Sequence, residues 1–176
     1  MKVAILLKEL LAKDMGEIEH EYIHKNGPII IEPMVEADIY AVAAIELESF
    51  KDPWPLESFR TELLYNQLAS YYVARINGVV VAYIGAWSIL DEVHITTLAV
   101  EKKYRRQGIA SLLLETLFVY MHKQGARYLT LEVRPSNRAA RNFYEKYGFK
   151  VYGHRKKYYV DEDALIMTKD DLNYTV

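Results

Sequence analysis

The chain has 176 residues, 51% hydrophobic and 26% charged, with a formal net charge of −2 and no cysteine. That length fits one globular domain with a substantial core. The charge provides no global basic field for nucleic acid or an anionic membrane, and the missing thiols exclude disulfides, thiolate zinc sites and a cysteine nucleophile.

Val3, Leu6, Leu7, Leu10, Leu11, Ile18 and Tyr22 recur at spacings of three and four. This predicts an amphipathic helical extension over residues 1–27, ending near Asn26-Gly27-Pro28. Its apolar face would pack on the domain or on a second copy as a homodimer; a docked peptide or a membrane surface is the alternative. Lys8 and Glu9 interrupt the apolar run and no small-residue cleavage site follows, so the segment does not read as a targeting signal. No stretch approaches the roughly 18–20 apolar residues of a spanning helix. A soluble, cytoplasmic protein is expected, with neither nucleic acid nor membrane as partner.

From Pro28 the periodicity changes. Ile29–Ile31 is a short β-rich run, and Ala37–Phe50 reads as a helix with Ile39, Val42, Ala43, Leu47 and Phe50 on its apolar face. Asp52-Pro53-Trp54-Pro55 ends it, and Leu56–Leu64 makes a second helix. Tyr71–Ile76 and Val79–Trp87 flank Asn77-Gly78, a strong hairpin signal. Glu92–Val100 is a third strand, followed by a cationic loop, Glu101–Gln107, and a helix from Gly108 to Lys123. Tyr128–Val133 is a strand, Asn137–Tyr147 a helix closed by Gly148, and Phe149–Tyr152 and Ala164–Met167 lie in the last two strands. The expected class is α+β: a mostly antiparallel sheet flanked by helices, with a strand-loop-helix crossover in its middle. One domain over residues 28–170 and a short tail, 171–176, complete the division.

Two segments carry chemistry. Tyr104-Arg105-Arg106-Gln107-Gly108-Ile109-Ala110 joins a strand to a helix start, where unpaired N–H groups and the helix dipole attract anions. Gly108 lets backbone approach a phosphate closely. A single glycine is neither a Walker loop nor a dinucleotide fingerprint, so a solvated basic turn fits this loop equally well. Further on, Glu132 alternates with Leu131 and Val133, Ser136 or Asn137 can cap the next helix, and Tyr144 lies about two turns along it. Glu132 and Tyr144 could share a cleft at the strand end, or be a solvent-facing carboxylate and a core tyrosine.

The run Ile95–Val100, Arg105-x-x-Gly108-x-Ala110, Glu132-Val133-Arg134-x-Ser136-Asn137 and Phe143-Tyr144-x-x-x-Gly148-Phe149 resembles the GNAT superfamily of acetyl-CoA-dependent N-acetyltransferases. More narrowly it is similar to the RimI/Ard1 group, which acetylates protein N-terminal α-amino groups. Asp52-Pro53-Trp54 and Tyr158-Tyr159-x-x-Glu162-Asp163-Ala164-x-x-Met167 resemble that group's loop and tail segments. The resemblance implies that backbone groups of Leu98, Ala99 and Val100 hold the pantetheine arm of acetyl-CoA. Arg105, and the amides of Arg106, Gln107, Gly108, Ile109, Ala110 and Ser111, would take the pyrophosphate, and Asn137 the pantetheine. It further implies Glu132 as general base, Tyr144 as acid toward the departing thiolate, and His94 as an alternative base acting through water. Trp54, Tyr83, Tyr158 and Tyr159 would line a peptide groove. No metal is implied.

An α-amino group has a pKa of roughly 7.7–8.0 against about 10.4 for lysine, so a modest base suffices for a protein N-terminus. The resemblance implies a protein N-terminus as acceptor, a ribosomal protein among the candidates. A lysine side chain or small amine is the alternative, and a non-catalytic acyl-CoA-binding module the second.

Overall fold

The computed structural model describes residues 20–24 and 27–170, with backbone alone for residues 20–23. Its elements run β1 (His20–His24), β2 (Gly27–Pro33), α1 (Ile39–Ser49), α2 (Leu56–Tyr65), β3 (Ala69–Ile76), β4 (Val79–Ile89) and β5 (Glu92–Val100). They continue with α3 (Ile109–Lys123), β6 (Tyr128–Val133), α4 (Arg138–Lys146), β7 (Lys150–Arg155) and β8 (Ala164–Asp170). The eight strands form one sheet in the order β1-β2-β3-β4-β5-β6-β8-β7. Every neighbouring pair is antiparallel except β5 and β6, which the α3 crossover makes parallel.

One expectation is corrected at the start. Residues His20–His24 form a strand, not the end of a helix, pairing with β2 from His20↔Ile31 to His24↔Gly27. The open backbone edge of β2 needs hydrogen-bond partners, and a two-residue connection into Gly27, at φ +115°, returns the chain as a hairpin. The rest of the predicted helix, residues 1–19, and the tail, 171–176, lie outside the described residues.

Each face of the sheet carries a core. Val93, Ile95, Leu129 and Leu131 pack with Leu113, Leu117 and Met121 of α3 and with Phe149. On the other face Ile39, Val42 and Ile45 of α1 and Phe59 of α2 cover Tyr71, Val73 and Tyr83. The buried stripe of α1 is thus Ile39, Val42, Ile45 and Glu46; Leu47, expected on it, is 71% exposed, and Phe50 stands at the cleft mouth.

Two irregularities open the site. β4 pairs Gly85 with Thr97 and Ala86 with Ile95, so Thr96 is an extra residue and β5 changes face there. Gly85 permits this because the Tyr71 ring lies where a Cβ would project. The pairing of β5 with β6 stops at Ile95↔Leu131 although β5 continues to Val100. Beyond that point the strands part, and the gap is the cleft.

Candidate active site

The cleft has a volume of about 350 Å3 and is lined by Ile95–Leu98 of β5, Leu131–Val133 of β6, Arg134, Asn137, Ala140 and Tyr144, and side chains from the α1–α2 and β7–β8 loops. Alternation turns Leu131 and Val133 into the core and leaves Glu132 facing the cleft wall. Glu132 Oε2 lies 2.9 Å from His94 Nε2, and Oε1 accepts from Arg155 Nη1 at 2.9 Å. Burial alone would raise its pKa; the hydrogen bonds and charge of His94 and Arg155 outweigh burial and hold it below the ordinary carboxylate range. The two base candidates are therefore in direct contact.

Tyr144 lines the same cleft, 8% exposed, with its ring edge-on to Phe143 and Phe149. Burial raises its pKa, with the neighbouring Tyr159 phenol adding to the shift, so the phenol keeps its proton. Asn137 lines the cleft and caps α4, accepting from the Ala140 N–H at 3.1 Å.

The splayed end of β5 leads into the cationic loop. Leu98, Ala99 and Val100 pair with β4 on one side only, so the other backbone edge faces the gap. Arg106 and Gly108 take left-handed φ of +62° and +86°, and a Cβ at Gly108 would meet nothing within 4 Å. The amides of Ile109, Ala110 and Ser111 belong to the first turn of α3, which has no side-chain cap. Among the named loop residues, Arg105 differs from expectation. Its guanidinium bonds the Val100 carbonyl at 2.8 Å and Ser49 Oγ at 2.9 Å, bracing the strand end onto α1. Gln107 bonds the Lys103 carbonyl and His24 Nε2. An open helix N-terminus without a Cβ, at the end of a half-paired strand edge, fits a pyrophosphate joined to an amide-bearing arm.

The groove residues divide. Trp54, Tyr158 and Tyr159 line the cleft. The two adjacent tyrosines lie in the β7–β8 loop, not a strand, and both reach the cleft, with rings edge-on at 4.9 Å. Tyr83 is corrected: it is 0% exposed, packed on Phe59, and its hydroxyl bonds Glu46 and Thr97. Glu46, 2% exposed, is the site residue that sequence reasoning missed; it lines the cleft and also accepts from the Trp54 N–H at 3.0 Å. A carboxylate at α1's apolar spacing was the available signal. Thr97 Oγ1 also donates to Glu46 at 3.4 Å, and burial raises its pKa against the pull of Trp54, Tyr83 and Thr97.

Arg134 ties the groove walls together. It pairs with Asp52 of the α1–α2 loop at 2.5 Å and with Asp161 and Glu162 of the β7–β8 loop at 2.7 and 2.8 Å, and lies 3.9 Å over the Tyr159 ring. Partly exposed pairs contribute about 0.5–1 kcal/mol each.

Comparison with known proteins identifies the family of the chain. The model of the Acetyltransferase (GNAT) family matches residues 39–149. The chain belongs to the GNAT acetyltransferase family. The [ribosomal protein bS18]-alanine N-acetyltransferase of Escherichia coli K12 is 35% identical over 143 residues, 78% of this chain and 94% of that one. The crystal structure of the Escherichia coli enzyme superposes at TM-score 0.75, with 33% identity, over 81% of this chain and 94% of the other. An N-acetyltransferase of Methanocaldococcus jannaschii is 40% identical over 151 residues, 82% of this chain and 94% of that one. The Ard1 structure from Thermoplasma volcanium has TM-score 0.75 and 26% identity, covering 81% of this chain and 97% of that one.

This GNAT protein is an N-acetyltransferase, and its family uses acetyl-CoA. Among its described residues no helix is long and apolar enough to cross a membrane. Because Arg134 joins both groove walls of the acetyltransferase, Arg134→Ala is expected to raise the KM for an acceptor peptide about tenfold, with acetyl-CoA affinity unchanged. Steady-state kinetics with each substrate varied in turn check this.

Proposed function

We propose that the protein transfers the acetyl group of acetyl-CoA to the N-terminal α-amino group of a protein in the cytoplasm, a ribosomal protein among its acceptors. One observation carries the choice of amine: the groove carboxylates Asp52, Asp161 and Glu162 are paired with Arg134 and so offer no free counter-charge to a lysine ammonium. An amine of pKa roughly 7.7–8.0 also needs only a modest base, against one near 10.4. The name of the Escherichia coli relative, a [ribosomal protein bS18]-alanine N-acetyltransferase, agrees with this reading.

Acetyl-CoA supplies the thioester. The acceptor enters as its ammonium; Glu132 and His94 first take one proton and pass it to solvent, the freed lone pair then forms the N–C bond, and the outward backbone edge of β5 polarises the carbonyl. Tyr144 gives its proton to the sulfur as the C–S bond breaks, and recovers one from the acceptor nitrogen. One proton reaches solvent for each acetyl transferred.

A lysine-directed site would need unneutralised acidic side chains in the groove. Asp52, Asp161 and Glu162 pair with Arg134, Lys51 also pairs with Asp161, and Glu57 pairs with Arg60. The test offers a short peptide with a free N-terminus beside the same peptide with its N-terminus blocked and one lysine retained. Mass-spectrometric localisation is expected to find acetyl only on the free N-terminus; acetyl-lysine on the blocked peptide overturns the proposal.

A further inference from the structure

The parallel pair β5–β6 carries a polar ladder on one face. Register places His94 beside Thr130, with Glu92 two residues before His94 and Glu132 two residues after Thr130. The side chains touch in sequence. Thr130 Oγ1 donates to Glu92 Oε1 at 2.6 Å, and His94 Nδ1 lies 2.9 Å from the same Thr130 oxygen. His94 Nε2 then meets Glu132 at 2.9 Å.

The directions of these bonds follow from counting hydrogens. A carboxylate only accepts, and a threonine hydroxyl has one hydrogen. With that hydrogen on Glu92, the Thr130 oxygen can only accept from His94, which puts a hydrogen on Nδ1. Glu132 is a carboxylate as well and can only accept from Nε2, so the three contacts are satisfied together when the ring carries both hydrogens, and the transferable one is on Nε2.

We propose that Thr130 and Glu92 are positioning residues of the acetyltransferase: they fix His94 in the Nδ1–H tautomer, so that Nε2 and Glu132 share one transferable proton. This deepens the function proposed above and rests on it. The Glu92 carboxylate, reached through Thr130, stands on the Nδ1 side of the ring, opposite Glu132. The other groups packed around the pair are few. β4 contributes the Trp87 ring, 6.0 Å from the His94 ring and held by Glu62 of α2; β7 and the β7–β8 loop place Arg155 and Tyr158 on the far side of Glu132.

The relay is separable from acetyl transfer in the test. Nitrogen-15 NMR of the imidazoles of wild-type protein, assigned with His94→Gln, reads the tautomer without substrate at a pH where the ring is neutral. The Nδ1–H form is expected; the Nε2–H form overturns the proposal whether or not the enzyme acetylates peptides. In kinetics, Thr130→Val and Glu92→Gln are each expected to move the acid limb of kcat/KM to lower pH by about one unit. Thr130→Ser should restore the wild-type limb. An acid limb unmoved in both variants overturns the relay. If Thr130→Val does not fold, half-buried Glu92→Gln and the wild-type spectrum decide. Failure of the wild type to acetylate a free N-terminus counts against the proposed function alone.

Discussion

Tyr144→Phe is expected to lower kcat about 10²- to 10³-fold while leaving acetyl-CoA affinity within about twofold of wild type. A positioned general acid contributes about 10²- to 10⁴-fold, and the substitution removes only the proton that the acid supplies. The phenylalanine ring keeps the contacts with Phe143 and Phe149 that seat the side chain in the core. Burial keeps the wild-type phenol protonated across the working pH range, so the effect should be nearly independent of pH below about 9. The measurements are kcat at saturating substrates and calorimetric titration with acetyl-CoA. Loss of cofactor binding with an unchanged saturated rate would give Tyr144 a binding role instead.

Gly108→Glu should have the converse profile: acetyl-CoA affinity reduced about 10²-fold, with kcat at saturation little changed. Two physical effects combine. The left-handed φ of +86° costs a side-chain-bearing residue about 1–2 kcal/mol. The space where the side chain projects is open, so a glutamate there sits at the helix N-terminus and places its own charge where the pyrophosphate would bind. Gly108→Ala separates the effects, since it carries the strain without the charge, and should show the smaller loss. Equal affinity for wild type and Gly108→Glu would move the phosphate site elsewhere.

Much of the fold was legible because its signals are local. Asn77-Gly78 announced the β3–β4 hairpin, and Gly108 and Gly148, both at positive φ, marked a helix start and a helix end. The strand at Tyr128–Val133 and the helix after Asn137 sit where alternation and capping put them. What misled was spacing without context. Tyr22 fits a helical repeat, yet its segment completes the open edge of β2, because unpaired strand backbone outweighs a weak helical pattern. Leu47 fits the apolar stripe of α1, but Ile45 and Glu46 are the residues the sheet covers.

The site shows the same division. Glu132, His94, Tyr144 and the Gly108 turn were nameable from motif and resemblance, as was a one-domain acetyltransferase reading without cysteine chemistry. The charge of −2 concealed Lys102–Arg106, and the structure resolves part of that cluster: Arg105 braces β5 onto α1. Tertiary structure alone decided that His94 touches Glu132, that Tyr83 backs a buried Glu46, and that Arg134 joins both groove walls. These are contacts between residues separated in sequence, set by strand register and by the divergence of β5 from β6. A one-dimensional pattern specifies which face a side chain takes; which partner it meets depends on how the strands are aligned.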